Sequence, residues 1–104
     1  MEELIRNTTL SVGTSAVIAS EEQYLDNATR SVILIINTST GGQKISISVG
    51  DEATSGQGIV LSAGGFYQDS KDSGYLPTQK RISAISDLAG GTISIHERVL
   101  QGGY

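Results

Sequence analysis

Apolar residues along this chain recur mainly at every second position. In residues 44–49, Ile45, Ile47 and Val49 alternate with Lys44, Ser46 and Ser48. That is the period of an antiparallel strand with one face buried. Residues 92–99 repeat it, with Ile93, Ile95 and Val99 on the inward row. Near the start, Leu10 and Val12 flank Ser11, Gly13-Thr14 reads as a turn, and residues 15–19 read as a second short strand. One segment departs from alternation. Residues 32–36, Val-Ile-Leu-Ile-Ile, are apolar throughout, which predicts a strand over 30–37 that is buried on both faces or lies mid-sheet. Further short strands are expected at 59–61, 66–68 and 80–86. Residues 20–29 are polar and aperiodic, a loop or one helical turn capped by Ser20. Residues 69–79 form the longest polar connection.

Composition strengthens the β reading. The chain has thirteen glycines, one proline and only five aromatic residues, so its core must come from Ile, Val, Leu and Ala. β-Branched side chains suit closely packed sheets, and frequent glycine suits tight turns. About seven to eight short strands at near-regular spacing predict an all-β fold, an antiparallel β-sandwich or jelly roll. At 104 residues there is room for a single domain spanning the chain, with residues 1–7 and 100–104 as candidate arms.

Charge narrows the class of partner. The net charge is −4, and the basic residues Arg6, Arg30, Lys44, Lys71, Lys80, Arg81 and Arg98 are scattered, with one adjacent pair. Nucleic-acid binding relies on clustered cations that neutralise phosphates, so no nucleic-acid partner is expected. No apolar run approaches the roughly 20 residues of a membrane helix, and no membrane partner is expected either. There is no cysteine, hence no disulfide and no thiolate metal site. The acidic start, Met1-Glu2-Glu3-Leu4-Ile5-Arg6, lacks the apolar stretch of a signal peptide, so synthesis in the cytoplasm without Sec export is expected.

Candidate chemistry is sparse. His96 is the single histidine and falls on a polar strand row with Thr92, Ser94 and Arg98. Without a Gly-x-Ser-x-Gly elbow it suggests no nucleophile–base pair. Glu97 falls on the inward row between Ile95 and Val99, where an unpaired carboxylate is costly. Either the core ends there, or Glu97 pairs with Arg30 or Arg81. Residues 69–74 superficially resemble a calcium loop, but Lys71 and Lys80 stand where that loop needs oxygen ligands. Asp51-Glu52 reads as a solvated loop, and Gly56-Gln57-Gly58 as turn chemistry. The Asn-x-Ser/Thr triplets at Asn7, Asn27 and Asn37 mean little without secretion. No catalytic residue, metal or cofactor is expected. Tyr24, Tyr67, Tyr75 and Tyr104 are the candidate interface or ligand contacts, since exposed tyrosines stack on sugars or anchor protein interfaces. Alternatively, Phe66 or Tyr67 fills the core.

An ordered set of segments carries a resemblance. It comprises Thr9-Leu10-Ser11-Val12-Gly13-Thr14, an Arg-led strand ending in Asn37-Thr38-Ser39, and Ile45-Ser46-Ile47-Ser48-Val49-Gly50. Gly58-Ile59-Val60-Leu61-Ser62-Ala63-Gly64-Gly65, Ile82-Ser83-Ala84-Ile85-Ser86 and Ile93-Ser94-Ile95-His96-Glu97 complete it. From residue 8 to 99 the chain resembles small β-sandwich proteins encoded among the virion genes of tailed bacteriophages. The resemblance implies a capsid decoration or other accessory virion protein, a homo-oligomer bound to the major capsid or another virion protein. It transfers no catalytic residue. The alternative is a receptor- or carbohydrate-binding module of a phage tail or spike that uses the loop tyrosines.

Overall fold

The strands pair like a long hairpin rolled back on itself. In the computed structural model, which describes residues 2–23, 28–70 and 79–101, β1 (Glu2–Val12) pairs with β8 (Gly91–Gln101) and β2 (Val17–Ser20) with β7 (Ile82–Ser86). Inside these, β3 (Ala28–Asn37) pairs with β6 (Phe66–Ser70) and β4 (Ile45–Val49) with β5 (Ile59–Leu61). Every pairing is antiparallel. Two more, β3 with β8 and β4 with β7, close the roll into two four-stranded sheets: sheet A in the order β1-β8-β3-β6 and sheet B in the order β2-β7-β4-β5. Eight strands nested first-with-last through fourth-with-fifth make a jelly roll. The expected all-β fold is therefore present, and none of the described residues is helical.

The alternating rows form the core. Ile33, Ile35, Ile93 and Ile95 from sheet A meet Ile45, Ile47, Leu61, Ile82 and Ala84 from sheet B, with Val12 and Ala19 between them. Each fully buried side chain of this kind is worth roughly 1.5–3 kcal/mol. The apolar run 32–36 lies mid-sheet, between β8 and β6. Its odd residues are buried in the core, while Val32, Leu34 and Ile36 on the other face are half-buried.

The outer face of sheet B has a cover of its own. The connection between β4 and β5 folds across it: the Ala53 amide donates to Ser83 Oγ at 3.0 Å and the Gly56 amide to Ser46 Oγ at 2.9 Å. Gly58 closes this loop at φ 78°, where an added Cβ would stand 2.6 Å from the Ile47 carbonyl oxygen. Only glycine fits there.

Several boundaries differ from expectation. Residues 2–7 are not a separate arm. They are the first half of β1, paired with residues 96–101 of β8, so residues 100 and 101 belong to a strand as well. Asp69 and Ser70 extend β6 into the polar connection. Ser20 ends β2 instead of capping a helical turn, and residues 21–23 have no regular structure.

Candidate interaction site

The charged end of the sandwich is built on two register shifts. In β3 the alternation running back from Asn37 puts Ile35, Ile33 and Ser31 inward and would turn Arg30 outward. A register shift between Arg30 and Val32 reverses this. β2 carries a matching shift between Ile18 and Ser20. Bulges of this kind re-aim side chains, and here they bring both Ser20 and Arg30 into the interior.

Arg30 is fully buried, with 0 % exposure, beside Glu97 at 5 %. Arg30 Nε donates to Glu97 Oε2 at 2.8 Å, and Nη2 donates to Ser20 Oγ at 2.6 Å and to the Glu21 carbonyl at 2.8 Å. Nη1 reaches the Lys80 carbonyl at 3.2 Å. The Ser20 hydroxyl donates in turn to Glu97 Oε2. Arg6, on β1, supplies a second cation, with Nε 3.2 Å from Glu97 Oε1 and Nη2 donating to the Ala19 carbonyl at 2.8 Å. Gln79 clasps the β3 main chain, accepting from the Arg30 amide at 2.6 Å and donating to its carbonyl at 3.0 Å. Glu97 is thus paired, as one sequence reading required, and its partners are Arg30 and Arg6. Arg81 is exposed, in a shallow pocket with Ala16, Ile18, Glu52 and Ser83.

The opposite end is closed by neutral groups. Buried Asn37 donates from Nδ2 to the carbonyls of Gln43 and Leu61, at 2.9 and 2.8 Å, and accepts from the Ser39 amide at 3.0 Å. Gln43 Nε2 donates to the Ala89 carbonyl at 3.0 Å.

Between these ends runs a groove of about 510 Å³ along β6, an edge strand of sheet A among the described residues. It is lined by Ile59 of β5 and by Phe66, Tyr67, Gln68, Asp69 and Ser70. Phe66 is 59 % exposed there. Tyr67 faces the other way, its ring packed on the core. Burial raises the Tyr67 hydroxyl pKa above the ordinary tyrosine value, the Asp69 carboxylate adds to the rise, and the positive field of Arg30 opposes it. Of the two aromatics, Tyr67 is half-buried against the core and Phe66 is the exposed ring. Phe66 is not among the contacts expected from the sequence; its exposure follows from its place on the opposite face of β6 from Tyr67. Tyr24, Tyr75 and Tyr104 lie outside the described residues.

His96 stands on the outer face of sheet A, as its polar row predicts. Its Nδ1 lies 2.7 Å from Asn7 Oδ1, and Arg98 Nε donates to its Nε2 at 3.1 Å. The ring is thus held between an amide and a guanidinium on the sheet's outer face. Among the described residues no group of three or more His, Asp or Glu is placed to hold a metal ion.

No protein-family model matches the chain, and no curated protein matches it by sequence. Among solved structures, it is similar to the Bacillus endospore appendages, described as a family of disulfide-linked pili. The TM-score is 0.58 at 14 % identity, over 96 % of this chain and 87 % of that one. A looser likeness, with a TM-score of 0.42 and 11 % identity over 93 % and 95 % of the two chains, is to the Drosophila NLP core, whose structure concerns pentamer formation and histone binding. That second likeness is too loose to carry an argument. The first supports the fold: a small β-sandwich.

Proposed function

We propose that this protein is a structural building block that works through protein–protein contacts, with no catalytic residue of its own. One observation carries the reading. Among the described residues both sides of the sandwich end in edge strands, β1 and β2 on one side and β5 and β6 on the other, and large apolar side chains stand exposed on them: Leu4, Ile5, Ile18, Ile59, Val60 and Phe66. Exposed apolar edges are a liability in a solitary protein and an asset in one that is covered by neighbours. The jelly roll is also a fold used in viral capsids. The phage resemblance supplies the setting, an accessory or decoration protein repeated on a virion and seated on the major capsid protein or another particle protein. Electron microscopy of the particle mixed with purified protein tests it. Ordered extra density at symmetric positions is expected; particles that stay bare at saturating protein would overturn the virion setting.

A second reading, a subunit of a pilus-like appendage, is favoured by the fold likeness to the endospore appendages. Disulfide linkage is closed to this chain, which has no cysteine. Filaments formed by the purified protein alone would favour this reading over decoration.

A further inference from the structure

We infer that the β6 edge of one copy receives the β1 edge of a second copy, head to tail, so that sheet A runs on from molecule to molecule. The inference rests on the protein–protein reading above and specifies which surfaces meet.

Direction permits it. Sheet A has four strands, all antiparallel, so its two edges run opposite ways. A neighbour in the same orientation therefore presents β1 antiparallel to β6, with inner and outer faces of the sheet kept in line. Such a contact is heterologous and repeats from copy to copy.

Hydrogen-bonding parity permits it too. The Asn37 amide donates to the Gly65 carbonyl at 2.9 Å, and the Thr38 amide to the Thr92 carbonyl at 3.1 Å. In an antiparallel ladder, residues alternate between bonding one neighbour and the other. Counting from these two bonds, the main-chain groups of Tyr67 and Asp69 serve β3, and those of Phe66 and Gln68 face the groove. By the same count, Arg6, Thr8 and Leu10 bond β8, and Ile5, Asn7 and Thr9 present their N–H and C=O groups outward. Among the described residues, the two edges therefore offer matching main-chain groups at Phe66 and Gln68 on one side and at Asn7 and Thr9 on the other.

Charge selects the register. β6 carries one charge, Asp69, on the inner row, and β1 carries Arg6 on its own inner row. Keeping the faces in line leaves few alignments, and one of them sets Asp69 opposite Arg6. It pairs Phe66 with Thr9, Tyr67 with Thr8 and Gln68 with Asn7. Sliding the neighbour by two residues either way would set Asp69 opposite Leu4 or Thr8, with no cation to meet it. Pairing β6 with β6 about a two-fold axis would bring two Asp69 carboxylates toward each other, and like charges across a ladder destabilise it.

The absence of native cysteine makes the test direct. Asn7→Cys and Gln68→Cys are exposed substitutions on the outer face, at positions that face each other across the proposed ladder. Paired strands hold such residues about 5.5 Å apart between Cα atoms, within disulfide reach. On mild oxidation, an equal mixture of the two single variants should give a disulfide-linked heterodimer. Each variant alone should stay monomeric on a non-reducing gel, and the double variant should give a ladder of bands. A linked dimer from either single variant alone would overturn head-to-tail pairing. No linkage in a sample that sedimentation shows to be self-associated would overturn this interface and leave the structural reading standing. No self-association, together with no binding to the particle, would defeat both.

Discussion

The two ends of this sandwich are closed by buried polar side chains of different kinds, and the difference shows what a charge demands that an amide does not. At the neutral end, Asn37 is satisfied by Gln43, Leu61 and Ser39, two of them within six residues of it along the chain. At the charged end, Arg30 and Glu97 draw on β1, β2, β3, β8 and the stretch before β7. A buried ion carries a desolvation penalty of several kcal/mol, so it needs many partners, and they come from distant segments. The charged end therefore ties the roll together, with both sheets joined through one guanidinium. The neutral end mostly ties a turn to its own neighbourhood.

If this contrast is right, the largest effect follows from breaking one half of the ion pair. Glu97→Ala leaves the Arg30 guanidinium buried beside a lost partner and should cost about 3–5 kcal/mol in urea unfolding. The paired replacement Arg30→Met with Glu97→Leu should recover most of that loss, since apolar groups of similar volume tolerate the site. A double variant no more stable than Glu97→Ala would show that the charges themselves hold this end.

The neutral end should yield less. Asn37→Ala strands two buried carbonyls and one amide, and should cost roughly 1–3 kcal/mol by the same assay. Beside it, Gly91 has no room for a side chain: an added Cβ would lie 2.7 Å from the Val12 carbonyl oxygen and 2.9 Å from Ser86 Oγ. Gly91→Ala should also destabilise by about 1–3 kcal/mol through overpacking.

Alkaline pH probes the charged end from another side. Tyr67 is raised above its ordinary value chiefly by burial, then by Asp69, with Arg30 acting against the rise. A group whose pKa is higher folded than unfolded contributes stability that is complete below the unfolded value. That stability is lost as pH climbs through the folded one. Stability should therefore fall above about pH 10, and Tyr67→Phe should flatten that fall. Identical alkaline limbs for the two proteins would remove Tyr67 from the account.

The smallest effect belongs to Arg6, whose side chain is 44 % exposed although it touches Glu97. Arg6→Gln should cost less than about 1 kcal/mol, and high salt should reduce the difference further. A loss as large as that of Glu97→Ala would mean that Arg6, and not Arg30, neutralises the carboxylate.

Much of the architecture was legible beforehand because strand period is a local property. Ile45, Ile47, Ile93 and Ile95 announce their inward row by spacing alone, and the apolar run at 32–36 announces a central strand. Glu97 on an inward row suggests either that the core ends there or that Arg30 or Arg81 pairs with it; Arg30 does, Arg81 does not, and Arg6 joins. The candidate site was less legible. Tyr67, a candidate contact by sequence, is half-buried against the core and also lines the β6 groove, while Phe66 is the more exposed ring, because a strand's facing depends on which neighbours it pairs with.

The sequence by itself determined that this chain is all-β, where most of its strands lie, and that its core is aliphatic. Spacing and side-chain volume decide those things within a few residues of each position. Tertiary structure alone decided that Arg30 and Ser20 turn inward, since each sits beside a register shift that simple alternation would not place. It also decided the nested order of pairing, and with it which four strands are edges among the described residues. Those are matters of contact between residues far apart in the chain, and no local pattern encodes them.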